Sequence, residues 1–249
     1  MNWATVNKLK INYSKTQVIH ITPRHREYQP FPPLRIGNSL IQPVNSARNL
    51  GVTVDHHLDL KSHIRNMCQS GWYGIHKIGQ LRKYLDQDSA EKLAHAFVTS
   101  RLDFCNSLLA GLPSSELGKL QHIQNAAARI VTRTKPRQHI TPVLHNLHWL
   151  PVSARISFKV LLIMFKILKG DSPAYLQNLV RPYVPVRNLR SSTQNLFSQP
   201  RIRTKTYGER AFSWLGPSLW NALPEDVRNS PSINSFKRKL KTHLFMLHF

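Results

Sequence analysis

The sequence predicts a mostly α protein with one small antiparallel β-sheet near its N-terminus. From about Leu60 onward, apolar residues recur at three- and four-residue steps, the period of a helix face. Residues 1–60 instead hold short runs rich in β-branched residues, punctuated by Gly, Pro and Asn. Gly111, Pro113, Pro151 and Gly170 then divide the helical pattern into pieces of ordinary length. Three segments follow: 1–60 with the hairpin, 61–180 as a helical bundle, and 181–249 as a basic arm with C-terminal helices.

In chain order, Trp3, Val6 and Leu9 suit a short helix, and TQVIHIT at 16–22 is a β-rich run ending at Pro23. RHREYQPFPP reads as loop, because a residue before proline is pushed to extended conformations. LRIGNSLIQP at 34–43 is a hairpin with Gly37-Asn38 in the turn, since both tolerate positive φ. NLGVTVD at 49–55 alternates and predicts a third strand of one sheet. Beyond Leu60, Ile64, Met67, Cys68, Tyr73 and Ile75 outline an amphipathic helix diluted by Gly71 and Gly74, continued by Ile78, Leu81 and Leu85.

The stretch from Asp88 to Arg133 predicts a helical hairpin. Its first arm, capped by Asp88 or Ser89, carries Leu93, Phe97, Val98, Leu102, Cys105, Leu108 and Leu109 up to the stop at Gly111 and Pro113. Ser114 or Ser115 opens the second arm, with Leu117, Leu120, Ile123, Ala127, Ile130 and Val131 inward. Pro142 to Leu150 holds a short helix, and Ser153 caps a long, nearly all-round apolar one through Lys169. Arg181 to Lys205 is basic and without period. AFSWLGPSLWNAL at 211–223 predicts two helical pieces split by Gly216-Pro217, with Trp214 and Trp220 as buried anchors. Ser232 begins a final helix with Phe236, Leu240, Leu244 and Leu247 on one face and Lys237, Arg238, Lys239 and Lys241 on the other.

The charge narrows the function. Thirty-five Lys and Arg face twelve Asp and Glu, a formal +23. Between Glu116 and Glu209 the only carboxylate is Asp171, against fifteen Lys and Arg. A one-signed field of this kind favours a polyanion, most simply nucleic acid. Arg129, Arg133, Lys135 and Arg137 leave the far end of the second hairpin arm, and Arg187, Arg190, Arg201 and Arg203 stand in the arm without local acids. These eight are the candidate nucleic-acid-binding residues, suited to backbone neutralisation more than to base reading. Two cysteines exclude a disulfide framework or a cysteine zinc site. The most apolar run, VLLIMF at 160–165, falls far below the ~20 residues of a membrane span. An intracellular protein, cytoplasmic or nuclear and not secreted, is expected.

SRLDFCNSLLAGLP at 100–113, LQHIQNAAARIVT at 120–132 and HITPVLHNLHWLPVSARISFKVLL at 139–162 resemble the C-terminal part of reverse transcriptases from LINE-type (non-LTR, jockey-like) retrotransposons. So do RAFSWLGPSLWNALPEDVR at 210–228 and SFKRKLKTHLF at 235–245. The resemblance covers essentially the whole chain. It implies the end of the palm over 1–60, a helical thumb over 61–180 and a C-terminal extension, with an RNA or DNA duplex held without sequence preference. NKLKINYSKTQVIHI at 7–21 is similar to the block after the catalytic aspartates, which makes Lys15 the palm lysine near the incoming nucleotide. Leu50, Gly51 and Val52 are similar to the hairpin that grips the primer end. Read from the residues alone, Lys15 is a solvated lysine before a strand, and Gly51 marks a bulge.

Two-metal nucleotide transfer needs carboxylates that hold two cations. The resemblance implies that these would precede residue 1, and no adjacent Asp-Asp occurs here. Asp55 with Asp59 and Asp86 with Asp88 are the nearest approximations. No catalytic residue, metal site or cofactor is therefore expected in this chain, with Mg²⁺ belonging only to an intact parent enzyme and its N-terminal part as a possible partner. His139, His145 and His148 match no common zinc spacing. The alternative function is a non-enzymatic interaction or structural protein derived from such an element, its Trp- and Leu-rich helices serving protein contacts.

Overall fold

The computed structural model describes Trp3 and residues 6–10, 12–23, 31–185 and 194–249. The chain divides into two compact units, Met1–Asn66 and Met67–Phe249. It is mostly helical, with small antiparallel pairs of strands, as the periodicities predict.

In the first unit, β1 (Leu34–Ile36) and β2 (Ser39–Ile41) form a hairpin in which Leu34 faces Ile41 and Ile36 faces Ser39. Gly37 turns the chain at φ 60°, where a side chain would also press on the Tyr13 ring at 3.3 Å. β3 (Ser46–Asn49) and β4 (Val52–Asp55) make a second, separate hairpin. The expected single sheet is thus two pairs. Pro43, between β2 and β3, has no N–H to carry a ladder onward. The 16–22 run joins through the Val18–Pro43 bridge, the Val44 N–H donating to Val18 O, and the Thr22 N–H donating to His56 O at 3.0 Å. The second turn is Leu50-Gly51, with φ 46° and 90°, the two positive values of a type I′ hairpin.

Asp55 closes the unit. Its buried carboxylate accepts from the amides of His57, Asp59 and Leu60 at 3.1, 3.0 and 2.7 Å, fixing the turn that launches α1 (Lys61–Leu81). A carboxylate taking three backbone donors organises a turn and leaves little for a metal.

In the second unit, Gly71 and Gly74 of α1 do more than dilute an apolar face. A Cβ on Gly71 would meet Ile123 at 2.6 Å, and one on Gly74 the Phe97 carbonyl at 3.1 Å. Both mark close packing. A 3₁₀ turn, Arg82–Tyr84, follows α1, and then α2 (Gln87–Ala94) starts at Asp86, which accepts from the Ser89 amide at 2.8 Å. Asp86 is therefore the cap in place of the expected Asp88 or Ser89.

The first hairpin arm is not one helix. α2 runs into a π turn at His95–Thr99 and then α3 (Ser100–Asp103), and Cys105 breaks the ladder with φ 51° before the 3₁₀ turn Asn106–Leu109. Phe97 and Leu108 consequently rotate out to 53% and 52% exposure. The second arm, α4 (Ser114–Thr132), buries Leu120, Ile123, Ala127, Ala128 and Val131, largely the face that the periodicity selected.

α5 (Thr141–Asn146) leads to the Trp149–Pro151 turn, which α4 holds by hydrogen bonds: Gln124 Nε2 donates to Leu150 O, and the Val152 amide to Gln121 Oε1, both at 2.8 Å. α6 (Val152–Leu168) starts one residue before Ser153, on Pro151. Its inner face meets α9 (Phe212–Asn221) and α11 (Ile233–His248) around Phe165, Trp220 and Phe236, with the two phenyl rings stacked at 4.3 Å. α9 is one continuous helix. Pro217 forfeits a single bond, and Gly216 compensates by letting Met164 Sδ come within 2.6 Å of where a Cβ would lie. Trp220 is fully buried and Trp214 partly so.

The short helices α7 (Ala174–Gln177), α8 (Lys205–Gly208) and α10 (Glu225–Arg228) join these pieces. The described residues of the aperiodic segment include a strand pair. β5 (Arg181–Pro182) pairs with β6 (Phe197–Ser198), and Asn221 brackets Phe197 by bonding both its N–H and its C=O.

Candidate nucleic-acid interface

α4 ends in a concentration of guanidinium groups. A helix C-terminus leaves carbonyls without intrahelical partners and carries partial negative charge, so cations collect there. Arg82 supplies the main cap from the end of α1: its Nε donates to Ile130 O at 2.9 Å and Nη2 to Val131 O at 2.7 Å, while Nη1 reaches Leu85 O. Desolvation and the neighbouring Arg133 push the Arg82 guanidinium below its ordinary value, partly offset by Asp86. Arg133 sits at the helix end with φ 56° and donates from Nη2 to Arg82 O at 3.0 Å.

Beyond Arg133 the chain closes on itself. The Gln138 amide donates to Lys135 O, the Lys135 amide to Gln138 Oε1 at 3.1 Å, and Arg129 Nη2 clamps the turn through Gln138 O at 2.8 Å. The four predicted residues therefore separate into two roles. Arg129 and Arg133 bind backbone carbonyls and shape the helix end. Lys135 and Arg137 are exposed on the turn that Arg129 clamps, and neither side chain has a partner among the described residues. Lys83 adds a further cation beside the cap, over the Tyr84 ring at 4.7 Å, and Tyr84 is itself 75% exposed.

Arg82 and Lys83 were not singled out from sequence. The signal was a basic pair ending an amphipathic helix, and what it lacked was the carbonyl partner some fifty residues away. Arg201 and Arg203 are exposed in the coil before α8, while Arg187 and Arg190 lie outside the described residues. No contact brings Arg201 or Arg203 to the α4 terminus among the described residues.

The remaining candidates fall as follows. Lys15 is exposed in the 3₁₀ turn Tyr13–Lys15. Leu50, Gly51 and Val52 form the tip of the second hairpin, with Leu50 89% exposed and Val52 buried. Gly51 is thus a turn residue and not a strand bulge. Asp59 accepts from the Lys61 amide, Asp86 caps α2, and Asp88 pairs with Lys92 at 2.5 Å. His145 and His148 stand against the Phe245 ring at 5.1 and 5.9 Å, and His139 is exposed. Among the described residues, no group of three His, Cys, Asp or Glu could hold a metal ion, and no helix is long and apolar enough to cross a membrane. No family model, curated protein or solved structure matches the chain.

Proposed function

We propose that this chain is the thumb-bearing part of a non-LTR retrotransposon reverse transcriptase and that it holds an RNA or DNA duplex by its phosphates. One observation carries the reading. The Lys135–Gln138 turn is pinned by Arg129 and presents Lys135 and Arg137 outward, beside the Arg82–Arg133 cap. Cations held by a rigid backbone lose little entropy when they meet a phosphate. Arg133 and the Arg82 cap contribute standing field, and Arg201 and Arg203 add separate positive charge in the arm. No nucleotide transfer is proposed for the chain itself, and Mg²⁺ enters only with an intact parent enzyme. An intracellular location goes with this reading.

The exposed apolar side chains of the first unit, among them Trp3, Val6, Leu40 and Leu50, support an N-terminal polymerase part as partner. A second reading, a protein-interaction module, is favoured by Trp72, Tyr73 and Leu81, which lie 51%, 67% and 51% exposed on α1.

Salt titration of duplex affinity tests the first reading. Each phosphate neutralised adds roughly 0.9 to the log–log slope for duplex DNA, so K135Q/R137Q should flatten it by about 2. An unchanged slope overturns the assignment.

A further inference from the structure

The part of α1 that belongs to the helical unit, residues 67–81, turns a surface of a different kind outward. Its inner side is fixed by the close packing at Gly71 and Gly74 and by the buried Ile75 and Ile78. Trp72, Tyr73, His76, Lys77 and Gln80 recur at three- and four-residue steps, which sets them side by side, and all five are exposed. Neighbours on this face touch. Lys77 Nζ lies 5.6 Å from the centroid of the Tyr73 ring, and Gln80 Nε2 donates to His76 Nε2 at 3.1 Å. The 3₁₀ turn Arg82–Tyr84 repeats the pairing, with Lys83 over the Tyr84 ring. Trp72, Tyr73 and Tyr84 are each more than half exposed.

Two properties select what this surface takes. The first is sign: residues 67–85 hold Lys77, Arg82 and Lys83 and no Asp or Glu, the next carboxylate being Asp86. The second is the kind of apolar group. A helix that docks a protein groove is read through anchors at i, i+3, i+4 and i+7. Leu81 is the only exposed aliphatic side chain in this stretch. Flat rings interleaved with cations suit unpaired bases instead, because every base has a π face and carries its own phosphate. A duplex keeps its bases stacked inside, out of reach of rings on a convex helix.

We infer that the outer face of α1 binds single-stranded nucleic acid, stacking unpaired bases on Trp72, Tyr73 and Tyr84 and neutralising the phosphates between them with Lys77 and Lys83. Each lysine now resting on a tyrosine is held within a base's reach of it. A phosphate draws the lysine off the ring and the base takes its place, so the strand exchanges one contact for two. The inference does not depend on duplex binding by Lys135 and Arg137.

Anisotropy of labelled oligothymidylate and oligouridylate with the full chain tests it, the two strands separating DNA from RNA as sources of the same chemistry. W72L/Y73L should weaken single-strand binding tenfold or more, since each stacked base contributes roughly fivefold or more. W72F/Y73F keeps a ring at each position and should stay within about threefold of the parent chain. All these positions are on the surface, so the variants retain the fold. K77Q/K83Q should flatten the log–log salt slope by about 1.4, at roughly 0.7 per phosphate on a single strand. W72L/Y73L should leave affinity for a blunt duplex unchanged, and K135Q/R137Q should leave single-strand affinity unchanged, so the two assignments fail separately. Single-strand binding that survives W72L/Y73L, equal loss of duplex and single-strand binding in that variant, or displacement of the strand by a leucine-rich helical peptide would overturn the inference.

Discussion

The two units of this chain solve the burial problem to very different degrees. The helical unit encloses Trp220, Phe165, Phe236, Met164 and Leu240 at 2% exposure or less. The hairpin unit buries Ile41, Val52, Leu60 and Ile64 but leaves Trp3, Val6, Leu9, Leu40 and Leu50 between 57% and 89% exposed. Two-stranded hairpins have too little area to form a core, and each leaves strand edges unpaired. The difference teaches that the helices carry their own stability, whereas the hairpins hold their shape by turn chemistry, chiefly the Asp55 carboxylate and the Gly37 and Gly51 turns.

The largest effect that would break this contrast is in the aromatic core. Trp220→Ala should lower stability by about 3–5 kcal/mol, the range for a truncated core aromatic, whereas Leu40→Ala should change it by no more than about 0.5 kcal/mol. Urea unfolding of both variants measures the gap, and equal losses would erase the contrast. At the next level, Gly71→Ala forces a methyl into Ile123 and should cost about 1–3 kcal/mol by overpacking. Arg82→Ala strips donors from Ile130 O and Val131 O and should cost a similar amount.

The smallest effect belongs to the hairpin unit. His63 is buried, and its Nδ1 accepts from the Thr53 amide at 3.5 Å. Desolvation, with the Arg48 charge, holds its imidazole below the ordinary value. The unfolded chain then takes the proton more readily, so the stability is complete above the free-histidine value of about 6.5 and is lost as pH falls below it. Amide exchange at Thr53 should quicken, relative to its intrinsic rate, from pH 7.5 to pH 5.5, and H63Q should abolish the change.

Much of this fold was legible where the cause is local. Gly37 turns where Gly-Asn said it would, Ser232 caps α11 by accepting from the Ser235 amide, and the α4 face followed its period. What escaped depends on distant partners. Cys105 has nothing in its neighbours to announce a left-handed residue, and the break it makes turned a continuous arm into α, π and 3₁₀ pieces. Gly216-Pro217 looked like a helix breaker, yet Met164 packs against that glycine and the helix runs through. The same limit governed the candidate interface. Lys135 and Arg137 were found by charge, but that Arg129 is the clamp and Arg82 the cap depends on carbonyls that only the folded chain brings near.

On the proposed reading, position, and not net charge alone, makes the α4 terminus a duplex surface. Two variants of equal charge separate these: K135Q/R137Q on the pinned turn, and K237Q/R238Q on α11, where both side chains are exposed. Affinity for an unrelated-sequence RNA–DNA duplex, measured across salt, should fall several-fold more for the first variant, with a flatter slope. Equal losses from the two variants would contradict the account and leave the charge as a diffuse field.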